Sequence, residues 1–142
     1  MSIHKTYAVL GLGRYGRAVA QELVRSGAEV LAVDDDMDVV DSLSGELPIC
    51  KCADVTDADA FEQLGIADVD SVIIAMSNSL EATVMAITLC KEAGIKEVIV
   101  KCSTEMHQKI FLRVGADKVI FPEKESGIRL ARNLLSSGFV EM

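Results

Sequence analysis

Six short apolar runs, each followed by a stretch with helical spacing, divide the chain into repeating units. The run over 6–10 passes through a glycine-rich step into 14–26. There Ala18, Val19, Ala20, Leu23 and Val24 recur at helical intervals, and Gly27 supplies a left-handed stop. A second strand over 29–33 ends at Asp34-Asp35-Asp36, and a short helix over 37–44 is closed by Gly45. The third strand, 48–53, delivers Asp54-Val-Thr-Asp57, where Thr56 or Asp57 caps a helix running to 64 and stopped by Gly65. The fourth strand, 69–76, carries Val72-Ile-Ile-Ala75, uniformly apolar as a strand covered on both faces should be. Ser77-Asn-Ser79 caps a helix over 80–93 that Gly94 ends. The fifth strand covers 98–102. A helix over 104–114 carries Met106, Ile110 and Val114 on one side and stops at Gly115. The sixth strand, 118–121, precedes Pro122 and a last helix over 123–136.

Six strands alternating with helices predict a parallel sheet, because each crossover must bring the chain back in the same direction. No linker, low-complexity segment or second domain interrupts the pattern.

Between the first strand and first helix lie Gly11, Gly13 and Gly16. Gly11 permits the tight turn, Gly13 lets backbone approach a pyrophosphate, and Gly16 lets the helix pack closely on the strand. The free N–H groups of the helix's first turn, with its dipole behind them, form an anion site. With this fingerprint at strand one, the fold class is α/β, a Rossmann-type doubly wound parallel sheet in the order 3-2-1-4-5-6.

Asp34 ends the second strand eighteen positions beyond Gly16. A carboxylate there accepts hydrogen bonds from both ribose hydroxyls of an adenosine and repels a 2′-phosphate, which disfavours NADP; the plainer reading is a solvated acid at a strand end. Asp35 and Asp36 are expected to cap the next helix or face water. Asp54 and Val55 follow the third strand, beside the adenine edge, where a carboxylate or backbone group could read the adenine amine and a turn-former serves equally. Ala75, Met76 and Ser77 end the fourth strand, across the switch point. Lys101 ends the fifth, placed for a phosphate or for a carboxylate such as Glu123. Arg14 and Arg17 put cations in a first helical turn, unfavourable by a few tenths of a kcal/mol unless an anion compensates. A phosphate is one such anion; a side chain extended into water is the alternative.

Half of the 142 residues are hydrophobic and a quarter charged, a composition suited to a single globular domain. The net charge of −8 argues against a nucleic-acid partner, and no apolar run approaches the length of a membrane span. Cys50, Cys52, Cys90 and Cys102 read as buried small hydrophobes of a reducing compartment, since His4 and His107 lie far from any shared ligand set. No catalytic set emerges. Tyr7 and Tyr15 lack a lysine partner, neither histidine sits at a strand end, and hydride transfer needs a second substrate site. The expectation is a binder, not an enzyme, with a fragment of an NAD-dependent oxidoreductase as the competing reading.

Seven ordered blocks sharpen this: Ala8-Val-Leu-Gly-Leu-Gly-Arg-Tyr-Gly16, Glu29-Val-Leu-Ala-Val-Asp34, Ala53-Asp-Val-Thr-Asp57, Val72-Ile-Ile-Ala75, Ile99-Val-Lys101, Val114-Gly-Ala-Asp117 and Phe121-Pro-Glu-Lys124. With them the chain resembles the RCK (TrkA-N) domains, in particular the KtrA/KtrC-type regulatory subunits of bacterial Ktr/Trk potassium uptake systems. The resemblance implies a cytoplasmic subunit, peripheral to the inner face of the cell membrane. It dimerises, assembles as an octameric ring beneath a membrane potassium-translocating subunit, and is switched by ATP and ADP or by NAD(H). It also implies that Gly11, Gly13 and Gly16 form the phosphate turn, with Tyr15 in the same block. Asp34 binds the ribose, Asp54 and Val55 flank the adenine, and Lys101 lies near the phosphates. Arg14 matches the arginine that reaches a γ-phosphate in the neighbouring subunit, and Glu123 an acidic residue that helps hold a divalent or monovalent cation at the phosphates. Asp35 replaces an apolar residue common in the family, and Met76-Ser77 replaces Ile-Gly, which narrows the room beside the ligand. The sequence ends where the family's C-terminal ligand domain would begin, so the chain is expected to be part of a longer protein, with a natural single-domain member as the alternative. The fingerprint begins a few residues after Met1, which favours a separate subunit over the cytosolic domain of a channel or antiporter.

Overall fold

The computed structural model describes residues 5–76 and 79–140, and of 138–140 the backbone only. Six strands form one all-parallel sheet: β1 (Thr6–Leu10), β2 (Glu29–Asp34), β3 (Ile49–Cys52), β4 (Ser71–Ile74), β5 (Glu97–Lys101) and β6 (Lys118–Ile120). Their order is β3-β2-β1-β4-β5-β6, the doubly wound arrangement expected. The register sets Leu10 beside Val33 on one side and Ile74 on the other, and Asp34 beside Cys52. The carboxyl ends of the strands therefore finish at one level.

The helices are α1 (Arg14–Arg25), α2 (Met37–Leu43), α3 (Ala58–Gln63), α4 (Leu80–Glu92), α5 (Glu105–Val114) and α6 (Pro122–Val140). Alternation along the strands sends side chains to two cores. Val9, Ala32 and Ile73 pack with Ala20, Leu43 and Leu47 on one face of the sheet. Ala8, Leu10, Val72, Ile74, Val98 and Val100 pack with Phe61, Ile87, Cys90 and Phe111 on the other. Burying apolar surface on both faces is the principal stabilising term of such a sheet.

Caps follow the local chemistry. Asp36 accepts from the Asp38 N–H, Asp57 from Asp59, Ser79 from Ala82 and Thr104 from His107, each satisfying an otherwise free helix-start donor. Of the two candidates before α3, Asp57 is the cap, and Thr56 bonds to Asp54 instead. Ser77 lies outside the described residues.

The structure departs from the sequence reading in several places. A short 3-10 turn, Ile66–Asp68, lies between α3 and β4 and buries Ile66. On α5 Ile110 and Val114 pack half-buried against the core beside the buried Phe111, but Met106 is 65% exposed. Cys90 and Cys102 are buried as expected, but Cys50 is half-buried and Cys52 exposed. Their strand is the sheet's edge, and only its β2 side is paired. Finally, α6 is longer than 123–136. It rests on the body through the half-buried Phe121 and Pro122 at its start, and every residue from Glu123 to Ser137 is exposed.

Candidate functional site

The site is built where β1 and β4 part. After β1 the chain turns into α1 on one face, and after β4 it enters α4, which packs on the other; the crevice lies between, at the carboxyl ends of the strands. Gly11 makes the turn with φ of +100°, its N–H donating to Val33 O at 2.8 Å. A side chain there would press on the Ala75 carbonyl group at 2.9 Å. Gly16 sits under the same turn, where a methyl would run into the Gly11 carbonyl oxygen. Gly13 faces open space, with no atom within 4 Å of where its Cβ would lie. It caps α1 without a side-chain acceptor, no acidic residue occupies the first turn, and Arg17 N–H donates the first helical bond, to Gly13 O. Among the described residues the N–H groups of Gly13, Arg14, Tyr15 and Gly16 have no acceptor. Four convergent donors at the positive end of a helix form a site for an anion.

Two clefts meet at this turn. The smaller, of about 330 Å³, is walled by Gly11, Asp34, Asp35, Asp54, Val55 and Ala75. The larger, of about 1320 Å³, is walled by Arg14, Tyr15, Lys101, His107, Glu123 and Arg129, among others. Gly13, Met76 and Ser79 border both. Of the residues singled out from the sequence as near a ligand, Gly16 beneath the turn and Arg17 border neither cleft, Ser77 lies outside the described residues, and the rest border one cleft or both.

Several of those residues have further work. Asp34 Oδ2 accepts the Leu12 N–H at 2.7 Å and Oδ1 the Asp36 N–H at 2.9 Å, so its carboxylate braces the turn and the start of α2 together. Each oxygen keeps a lone pair for a hydroxyl donor. Asp54 Oδ1 accepts from both the N–H and the hydroxyl of Thr56, at 2.9 and 2.6 Å. The side-chain and then the backbone bond hold its carboxyl below the usual range. This is an Asx-turn, and the Asp-x-Thr spacing was its sequence signal. The Val55 side chain is buried in the core. Burial, with the negative charge of Glu125 second, raises the Tyr15 phenol. Burial and then the negative charge of Asp34 raise the Cys50 thiol.

Arg14 is exposed, and among the described residues it forms no ion pair; nor do Lys101 and Glu123 pair with each other. Arg17 differs from the sequence expectation. Its guanidinium curls back to donate from Nε and Nη2 to Leu12 O, at 3.3 and 3.1 Å, so the compensating partner is a carbonyl of the turn. Among the described residues no three His, Cys, Asp or Glu side chains cluster as a metal site, and no helix is long and apolar enough to cross a membrane.

Strand order, glycine turn and a carboxylate at the end of β2 define a Rossmann-type domain. The chain belongs to the TrkA-N domain family, whose pattern matches residues 7–122. It is 39% identical to the Ktr system potassium uptake protein A of Vibrio alginolyticus over 137 residues, 96% of this chain and 62% of that protein. To the Ktr system potassium uptake protein C of Bacillus subtilis it is 31% identical, with the same shares covered. The chain therefore spans about three fifths of the length of these relatives. Among solved structures, the NAD(P)-binding domain of an exopolyphosphatase-related protein from Archaeoglobus fulgidus superposes with a TM-score of 0.81 at 22% identity, covering 94% of this chain and 99% of that one. The GsuK channel bound to NAD gives 0.72 at 17% identity, covering 83% of this chain and 21% of that one. GsuK bound to ADP gives 0.66 at 19%, covering 94% and 33%. These likenesses establish the fold.

Proposed function

We propose that this chain is the nucleotide-sensing domain of a regulatory subunit of a bacterial potassium uptake system. The observation that carries the reading is the set of free N–H groups at the start of α1, set between a cleft bordered by Asp34 and one bordered by Arg14 and Lys101. In this reading an adenosine occupies the smaller cleft, its ribose hydroxyls donating to the remaining lone pairs of Asp34 and its base beside Asp54 and Val55. The phosphates lie over Gly11–Leu12–Gly13 and the first turn of α1, with Tyr15 alongside. Asp34 and its neighbours Asp35 and Asp36 repel a 2′-phosphate. The names of its relatives support potassium uptake as the process served, and the family resemblance supports a regulatory role over an enzymatic one. The family resemblance supports assembly as a homo-oligomer, an octameric ring, on the cytoplasmic side of a membrane potassium-translocating subunit.

ADP and ATP can switch such an assembly only by binding its two conformations with different affinity. Arg14, exposed and unpaired among the described residues, is suited to reach a third phosphate on a neighbouring subunit. Glu123, at the start of α6, is suited to share a cation with it, and Lys101 offers a second positive charge. The NAD(H) alternative is favoured by one feature: because both clefts border Gly13, Met76 and Ser79, a dinucleotide could run from one into the other.

Calorimetric titration with ADP, ATP and NADH tests the reading. Binding of at least one is expected, and failure of all three overturns it. Arg14→Ala is expected to abolish discrimination between ATP and ADP while leaving AMP binding nearly intact; an unchanged ATP preference removes Arg14 from the sensor.

A further inference from the structure

The glycine turn contains two peptide planes that a ligand would meet, Gly11–Leu12 and Leu12–Gly13, and each is held by a different side chain. Asp34 takes the N–H of the first, at 2.7 Å from Leu12 N. Arg17 takes the carbonyl of the second, with Nε and Nη2 at 3.3 and 3.1 Å from Leu12 O. In a trans peptide the carbonyl and the following N–H point in opposite directions, and no cis peptide occurs among the described residues. Holding the Leu12 carbonyl on the Arg17 side therefore turns the Gly13 N–H the other way. Gly13 is exposed, borders both clefts, and among the described residues its N–H has no acceptor. The backbone of Arg17 adds to the restraint, since its N–H holds Gly13 O at 2.9 Å. One residue thus ties down two consecutive carbonyls of the turn.

We propose that Arg17 is a positioning residue: it aims the Gly13 N–H at the ligand's phosphate without itself being the phosphate's partner. This rests on the nucleotide reading above. It explains why a cation sits in the first turn of α1, where the helix dipole opposes it: the Leu12 carbonyl offsets the unfavourable field. It also explains the fork of donors, because two N–H groups in a fixed plane restrain the carbonyl's direction more tightly than a single ammonium does. A donor already aimed before binding loses less on association than one that must be ordered then.

The test is calorimetric titration of the whole chain with ADP, at low and at high salt, for wild type, Arg17→Met and Arg17→Lys, with folding followed by circular dichroism. Arg17→Met keeps the aliphatic stem and loses the donors; its ADP affinity is expected to fall about tenfold, about 1.4 kcal/mol, and equally at both salt concentrations. Arg17→Lys keeps the charge and a single donor, and is expected to lose about threefold. Unchanged ADP affinity in folded Arg17→Met overturns the proposal and leaves Arg17 a role in stability alone. A loss confined to low salt, with Arg17→Lys equal to wild type, also overturns it, because screening removes a direct charge effect and not a geometric one. Should Arg17→Met fail to fold, Arg17→Lys decides: wild-type affinity there overturns the proposal, and a loss kept at high salt upholds it. Absence of ADP binding to wild type is a distinct failure, that of the nucleotide reading itself.

Discussion

Gly13 and Gly16 stand three residues apart and answer to different demands. A methyl at Gly16 meets the carbonyl oxygen of Gly11 and lies 3.2 Å from the Ala75 Cβ, so the turn or the helix must shift. Gly16→Ala is expected to cost about 2–3 kcal/mol in a urea melt, in the range of overpacked cores. Gly13 has φ of −71° and open space around it, a conformation that alanine adopts freely. Gly13→Ala should keep stability within about 1 kcal/mol while lowering ADP affinity at least tenfold, because its methyl would fill the approach of the phosphate in the proposed reading. Wild-type ADP affinity in Gly13→Ala would move the phosphates away from this turn. The spacing of these glycines was readable because the turn needs them at fixed positions along the chain. The Arg17 contact with Leu12 was not, since it depends on a long side chain folding back over five residues, and sequence spacing does not specify a rotamer.

At the scale of elements, α6 is the part whose surroundings are least complete. Ile128, Leu130, Leu134 and Leu135 are 41–67% exposed. At 100° per residue, Ile128 and Leu135 share one side of the helix and Leu130 and Leu134 the opposite one. A helix with apolar residues on two sides is suited to burial between partners, which supports the proposed self-association. The double variant Ile128→Asp/Leu135→Asp should shift the sedimentation profile toward monomer with the circular dichroism spectrum retained; an unchanged oligomer removes α6 from the interface. Its length escaped the sequence reading because Ser136-Ser-Gly138 looks like a stop, yet the helix continues to Val140. The exposure of Cys52 escaped for another reason. The order 3-2-1-4-5-6 already makes β3 an edge, but the hydropathy of Cys-Lys-Cys does not tell which flank of an edge strand is covered.

Over the whole molecule, the alternation of strands and helices dictated the parallel sheet and the glycine fingerprint at β1 its order, and both agree with the sequence reading. Burial links the cores to pH. The Cys90 thiol, enclosed on α4, is pushed up to about 12 by burial, from an ordinary value of 9.0, with Lys91 lowering it in part. Unfolding frees it to ionise near its ordinary value. Its contribution is therefore fully present below about pH 9 and is lost as pH climbs toward 12, at up to about 1.4 kcal/mol per pH unit. Cys90→Ala should flatten the alkaline limb of a stability profile measured by urea melts between pH 8 and 10, the range chosen as roughly spanning ordinary thiol ionisation. A limb of unchanged slope would assign the alkaline loss to other groups.

Under the proposed reading, one carboxylate constrains which sugar this domain could accept. Asp34 grips Leu12 of the glycine turn and Asp36 at the threshold of α2 simultaneously. If the proposed nucleotide reading holds, admitting a phosphorylated ribose would require discarding that negative charge, and an amide in its place offers one acceptor oxygen where the carboxylate offers two. Asp34→Asn would therefore hold only one of the two N–H groups, that of Leu12 or that of Asp36, and the glycine turn and the start of α2 would no longer share one brace.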